Sequence, residues 1–148
     1  MKSILLLAAI LLVSCATFEP VHPDGFAGFG SKFGTNDYRA VSPEGITWRI
    51  HSEEHKPKAS LDFWKPALRK RMLEAGYRVV DSLSFDCSGT PGFGLELAAP
   101  LGQSDYSYFV GVVPSDDNLI LIESAGPVQD FQKRKPEIHS TLGKLRLK

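Results

Sequence analysis

The sequence has little cysteine, no excess of charge of either sign and no apolar run long enough to cross a membrane. Its 148 residues include two cysteines, Cys15 and Cys87, too few for a disulfide framework or a metal site built on paired cysteines. Seventeen lysines and arginines balance seventeen aspartates and glutamates, so no strong field favours nucleic acid. The apolar run at residues 4–13 falls short of the roughly 20 residues that span a bilayer.

The first fourteen residues are typical of a signal peptide, with Lys2 before the short apolar core. A buried helix is the alternative, but the core has no amphipathic stripe. The segment Leu12-Val13-Ser14-Cys15 resembles the lipobox of bacterial lipoproteins. The resemblance implies cleavage after Ser14 and lipid, such as palmitate, on Cys15. Because each buried methylene contributes about 0.8 kcal/mol, two or three acyl chains would hold the protein firmly to a membrane.

The residue after the predicted lipidation site bears on the location. Ala16 stands there rather than aspartate, and in lipoproteins this favours the outer membrane over the inner membrane of the cell envelope. Lipid on Cys15 also leaves Cys87 without an intramolecular partner. Membrane lipid is an expected partner, which the protein would contact through acylated Cys15.

Composition predicts a signal peptide at residues 1–14, a flexible tether rich in glycine and proline at residues 15–36, and one α+β domain at residues 37–148. Four phenylalanines do not suit a solvated linker, so we expect part of the tether to lie against the domain: Phe18, Phe26, Phe29 and Phe33.

Within the domain, alternating apolar residues predict strands and three- and four-residue spacing predicts helices. A turn at residues 42–45 joins a β-hairpin. The expected order is β-hairpin, helix, four-stranded meander and C-terminal helix, which favours an antiparallel sheet flanked by helices. The predicted strands lie at 38–41, 46–50, 77–83, 93–97, 106–112 and 119–123. A helix is predicted at 61–75, although Pro66 could move its start to Lys65 or bend it there, and a second helix follows residue 127, broken or kinked at Pro136.

This order resembles the PsbP-like fold, whose members include a photosystem II extrinsic protein, a Ran-binding nuclear import factor and many bacterial lipoproteins. The similar stretches are residues 38–50, 73–77, 106–113 and 119–127. The resemblance implies an α-β-α sandwich and no catalytic residue. Members whose roles are understood bind or assemble other molecules, although fold alone does not dictate function.

Chemical candidates are few, and no cofactor is expected. Cys87 could act as a nucleophile beside a histidine, but a structural thiol is the favoured interpretation. The available histidines are His51, His55 and His139.

His51 and His55, with Glu53 and Glu54 between them, could hold a metal, although solvated loop residues are favoured. The glycines of residues 25–30 lack the spacing of a phosphate loop and indicate a flexible arm.

Two surfaces could meet partners. The first predicted helix carries four cations that could lie near anionic lipid, although a solvated face is favoured: Lys65, Arg69, Lys70 and Arg71. Tyr106 or Tyr108 could mark a protein-binding surface or simply pack. The leading hypothesis is a lipid-anchored, non-catalytic module that binds an envelope protein. The alternatives are a small enzyme using Cys87 with a histidine, or a carrier of a small apolar ligand with a closed pocket between helix and sheet.

Overall fold

The structure, a computed structural model, describes residues 16–29, 36–99 and 105–148. The predicted signal peptide and Cys15 lie outside the described residues. No helix in the described ranges is long and apolar enough to cross a membrane.

The chain forms seven strands and two helices, so the α+β class is confirmed. The strands are β1 (Ala27–Phe29), β2 (Asp37–Val41), β3 (Thr47–Glu54), β4 (Arg78–Cys87), β5 (Thr90–Ala99), β6 (Tyr106–Pro114) and β7 (Asn118–Pro127). The helices are α1 (Leu61–Glu74) and α2 (Val128–Leu142). The predicted order lacked β1, and the strand predicted at residues 119–123 extends to Pro127.

All seven strands form one antiparallel sheet in the order β1-β2-β3-β7-β6-β5-β4. The hairpin of β2 and β3 turns at residues 42–45, where the Gly45 amide donates to the Ser42 carbonyl. β7, the last strand of the meander, returns to the centre and pairs with β3. This return joins hairpin and meander into one sheet.

The helices lie on opposite faces of the sheet, which gives the expected α-β-α sandwich. α1 contacts β4, β5 and β6, while α2 contacts β4, β6 and β7. The α1 face holds an apolar cluster around Leu68, Leu95 and Val110. The α2 face holds the larger cluster, around Trp48 and Phe109. Alternation along each strand separates the two clusters.

The helix boundaries follow local signals only in part. α1 begins after Ser60, as predicted, but the Ser60 side chain makes no capping hydrogen bond. Gly76 follows the helix with φ of 89°, a conformation that favours glycine. α2 runs through Pro136 as one helix, so the predicted break there is wrong. Its apolar face packs on the sheet through Phe131, Ile138 and Leu142.

The arm, residues 16–29, packs against the domain, as its phenylalanines predicted, so these residues do not form the flexible tether that their composition predicted. Phe18 is fully buried in the α2-face cluster and bridges to Leu147. Trp48 Nε1 donates to the Val21 carbonyl at 2.8 Å. The predicted flexible glycine segment contributes β1, which pairs with β2. Burying aromatic side chains outweighs the disorder that proline and glycine favour.

Phe18→Ala should lower the free energy of unfolding by about 3–5 kcal/mol, because it leaves a cavity in the core. Phe29→Ala is the matched control on the same arm: Phe29 is 53 % exposed, so its loss should cost less than about 1 kcal/mol. Urea unfolding followed by tryptophan fluorescence measures both. Equal effects of the two substitutions would contradict the buried position of Phe18.

Candidate functional site

The candidate site is the half of the sheet that α1 leaves uncovered. Alternation places Trp48 and Ile50 of β3 in the α2-face cluster, so Arg49 and His51 between them face the α1 side. α1 packs on β4, β5 and β6 rather than on this part of the sheet. Register sets Arg39, Arg49 and Glu123 side by side on β2, β3 and β7. Three strands distant in sequence thus build one polar surface.

Arg49 is the centre of this surface because its guanidinium joins two carboxylates. Its Nε and Nη2 donate to the two oxygens of Asp37 at 3.0 and 2.8 Å, a bidentate pair. Its Nη1 donates to Glu123 Oε2 at 3.4 Å. Arg39 also donates to Asp37, at 3.4 and 3.2 Å.

Glu123 extends the polar network toward α1. The Tyr108 hydroxyl donates to Glu123 Oε1 at 2.5 Å. His51 Nδ1 lies 3.4 Å from Glu123 Oε2, without the alignment of a hydrogen bond, and this buried nitrogen has no hydrogen-bond partner within the described residues. His51 thus lies beside the network without a hydrogen bond to it.

Charge and burial perturb the acids and bases of the network. The hydrogen bonds from Arg49 hold the pKa of Asp37 well below its usual range, and the same pairing raises the pKa of Arg49. Burial, reinforced by the neighbouring Glu123, raises the pKa of Tyr108. At neutral pH the network therefore holds an ionised Asp37, a charged Arg49 and a protonated Tyr108 hydroxyl, which suits binding rather than proton transfer.

The open groove beside α1 consists of three adjoining cavities along β3 and β7. The first, about 300 Å³, lies over Arg49 and Tyr108 and is flanked by Phe29. The second, about 210 Å³, shares Arg49, Tyr108 and Glu123 with the first. The third, about 350 Å³, has an apolar floor made by Trp64, Leu68, Val112, Leu119 and Leu121. The groove thus passes from a polar end to an apolar end.

Arg71 of α1 stands where the second and third cavities meet. It is exposed, and no ion pair involves it within the described part of the chain. Glu53 lines the same two cavities. A partner of mixed polarity fits this lining better than a purely apolar molecule. The closed pocket expected of a small apolar carrier is therefore replaced by an open, amphipathic groove.

Cys87 is sealed on the other side of the sheet. It is 1 % exposed within the α2-face cluster, and burial raises the pKa of its thiol to about 12. No hydrogen bond joins it to a histidine among the residues described. His51 lies four strands away, about 19 Å at normal strand spacing, and on the opposite face. These positions do not assemble a thiolate nucleophile with a base.

His139 has a carboxylate rather than the thiol as its polar neighbour. Its Nε2 lies 3.1 Å from Glu96 Oε1, and Glu96 pairs in register with Asp81. Burial lowers the pKa of His139, and Lys135 joins Glu96 at 2.7 Å. This cluster fastens α2 to β5.

His55 is a structural residue rather than the solvated loop residue that we expected. It is buried, its Nδ1 donates to the Ser115 carbonyl at 2.6 Å, and its Nε2 accepts hydrogen bonds from Trp64 Nε1 and the Ala59 amide. These bonds occupy both ring nitrogens. In the ranges that the structure covers, no group of histidine, cysteine, aspartate and glutamate could hold a metal ion.

Sequence reasoning missed the centre of the site. Arg49, Asp37 and Glu123 were not candidates, although Tyr108 was considered as a surface residue. The sequence does show a charged residue between two apolar residues of a strand, as at Arg49 between Trp48 and Ile50. Such a residue lies on the face of the strand opposite the apolar face. Without the sheet order, that signal does not say which charges meet.

No protein-family model matches the chain, and no curated protein matches it. Solved structures do. The solution structure of the cyanobacterial PsbP protein CyanoP, from Synechocystis sp. PCC 6803, has a TM-score of 0.59 at 12 % identity, over 86 % of this chain and 84 % of its own. The structure of LpqN of Mycobacterium tuberculosis, a protein involved in cell envelope biogenesis, has a TM-score of 0.65 at 10 % identity, over 86 % of this chain and 80 % of its own.

A third structure, PA94 of Pseudomonas aeruginosa, has unknown function and gives a TM-score of 0.62 at 11 % identity, over 86 % of this chain and 94 % of its own. The domain therefore has a PsbP-like fold, as the resemblance implied. At these identities the likeness establishes the fold alone.

Tyr108→Phe should lower the free energy of unfolding by about 1.5–3 kcal/mol, because it removes a hydrogen bond to a carboxylate. The pKa of Tyr108 in the folded protein is raised above the ordinary 10.0. The stability that its hydrogen bond contributes is therefore complete below pH 10 and is lost as the pH rises above 10. The variant should therefore lose less stability than the wild type in alkali. Denaturant titrations across pH 7 to 11 measure this. Tyr106→Phe is the control, and an equal effect there would contradict the assignment.

Proposed function

We propose that the protein is a bacterial lipoprotein, lipidated on Cys15 after removal of residues 1–14, whose domain binds or organises a partner at the cell envelope. Outer-membrane attachment is favoured over the inner membrane. The role is non-catalytic. The observation that carries the binding role is the open groove over the Arg49–Glu123–Tyr108 network, on the half of the sheet that α1 leaves uncovered.

One observation supports the anchor, and another supports a place in the cell envelope. The lipobox-like segment ends at Cys15, and LpqN, which shares the fold, takes part in cell envelope biogenesis. The packing of the arm is compatible with attachment at a membrane: Phe18 is fixed in the core, and three residues span at most about 11 Å. A lipid on Cys15 would therefore hold the domain directly against the bilayer.

The groove supports protein binding over catalysis. Aromatic and arginine side chains are enriched at interfaces, and the groove presents Phe29, Tyr108 and Arg71 beside an apolar floor. Its charged groups are paired with one another or solvated. The buried Cys87 argues against the enzyme that uses it. A small amphipathic ligand is the second candidate, favoured by the apolar third cavity.

Cys15→Ser should abolish lipid labelling and membrane retention, because it removes the thiol that receives the diacylglycerol. Metabolic labelling with an alkyne fatty acid, followed by fractionation of the envelope, measures both. Cys87→Ser is the matched control and should leave labelling intact. Label that persists in the Cys15 variant would refute the anchor.

A photo-cross-linking amino acid at position 29 or 71 should give a discrete adduct in the native envelope, because both side chains line the groove. Position 133, exposed on α2, is the matched control and should give none. A protein-sized adduct supports a protein partner, whereas a lipid-sized adduct supports the amphipathic ligand. Adducts equally abundant at position 133, or absent at both groove positions, would contradict binding in the groove.

A further inference from the structure

Within the described residues, His51 is the one histidine that lines the open groove, and both of its ring nitrogens face carboxylates. Its Nδ1 lies 3.4 Å from Glu123 Oε2, and its Nε2 lies 3.6 Å from Glu53 Oε1. Register on β2 also places Asp37 directly opposite His51. The His51 side chain is 12 % exposed, so water and salt screen these contacts only in part.

The charged side chains of the groove cancel one another. Four cations face four acids when Asp37, which pairs with two of the arginines, is counted among the acids. They come from β2, β3, β7, α1 and the loop before α1: Arg39, Arg49, Lys56 and Arg71 against Asp37, Glu53, Glu54 and Glu123. On β6, the raised pKa of Tyr108 keeps its hydroxyl protonated. The protonation of His51 therefore decides whether the groove is neutral or carries one net positive charge.

Glu123 and Glu53 differ in how firmly they are held. Glu123 accepts hydrogen bonds from Arg49 and from the Tyr108 hydroxyl. The Glu53 side chain is 57 % exposed and has no ion pair with lysine or arginine in the described part of the chain. At 3.6 Å its oxygen is just beyond hydrogen-bond reach of His51 Nε2, so a small rotation of Glu53 joins the two.

A second proton on the imidazole ring, taken from water, changes both contacts. Both nitrogens of a protonated imidazole donate hydrogen bonds, and histidine is the side chain whose charge ordinarily changes between about pH 5 and pH 8. The added charge therefore attracts the mobile Glu53 carboxylate from one side and the fixed Glu123 carboxylate from the other.

We propose that His51 is the pH-sensitive element of the groove. In mild acid its protonation draws Glu53 onto the ring beside Glu123 and gives the groove one net positive charge, which favours the acidic groups of a partner. The consequence for binding rests on the proposed function, whereas the switch itself is a property of the domain.

Nuclear magnetic resonance tests the switch without a partner, on the purified chain with Cys15→Ser, which cannot be lipidated. The ¹³C carboxyl signals of Glu53 and Glu123 should each shift in a step between pH 8 and pH 5.5, above the range in which ordinary glutamates titrate. The step should be lost in His51→Asn and in His51→Gln. Glu54, which pairs with Lys56, is the internal control and should show no such step.

His22→Asn is the matched control variant, because His22 contacts Tyr38 of the α2-face cluster rather than the groove. It should leave the steps at Glu53 and Glu123 unchanged. Circular dichroism checks that each variant is folded. Absence of both steps in the parent chain, their persistence in both His51 variants, or their loss in His22→Asn would overturn the proposal.

The consequence for binding is measured with the cross-linking residue at position 29, in isolated envelopes held at pH 5.5 or pH 7.5. The adduct should be about threefold more abundant at pH 5.5, the effect of one added charge at about 10 Å in a largely aqueous groove, and equal at both pH values in His51→Gln. Equal yields in the parent chain, or a higher yield at pH 7.5, would overturn the regulation. No adduct at either pH, with the carboxyl steps intact, would refute binding in the groove and support the switch.

Discussion

A seven-stranded sheet is much wider than a helix, and the arrangement of the whole domain depends on this mismatch. Six steps between strands make a width of about 29 Å, whereas a helix with its side chains is about 10–12 Å across. On the α2 face the arm and the C-terminal residues fill the remaining width, with Phe18, Phe26 and Leu145 in the core. On the α1 face no such segment lies over β2 and β3 within the described residues.

The composition of the uncovered half follows from its exposure to water. Side chains there cannot be uniformly apolar without leaving a large apolar patch in solvent. The strands instead carry Asp37, Arg39, Arg49 and Glu123, which neutralise one another across three strands. Partly exposed ion pairs add little stability, so this network is better understood as a preorganised surface than as a support for the fold.

Local patterns were enough to predict the helices, the hairpin and the meander, because each depends on neighbours in sequence. β1 was missed because its three residues lie among glycines and depend on pairing with β2. The arm was predicted only in part. Its phenylalanines indicated contact with the domain, whereas its glycines and prolines indicated a flexible tether. Asp37, Arg49 and Glu123 meet only through register between distant strands, which no local pattern encodes. His55 likewise depends on a contact with Ser115, sixty residues away.

The groove and the start of the arm lie on opposite sides of the sandwich, and this decides from which side a partner could reach the groove. Phe18 is fixed in the α2-face cluster, so a lipid on Cys15, three residues away, would attach the domain near that side. The groove would then open on the side away from this attachment, so a partner could reach Arg49 without displacing the anchor.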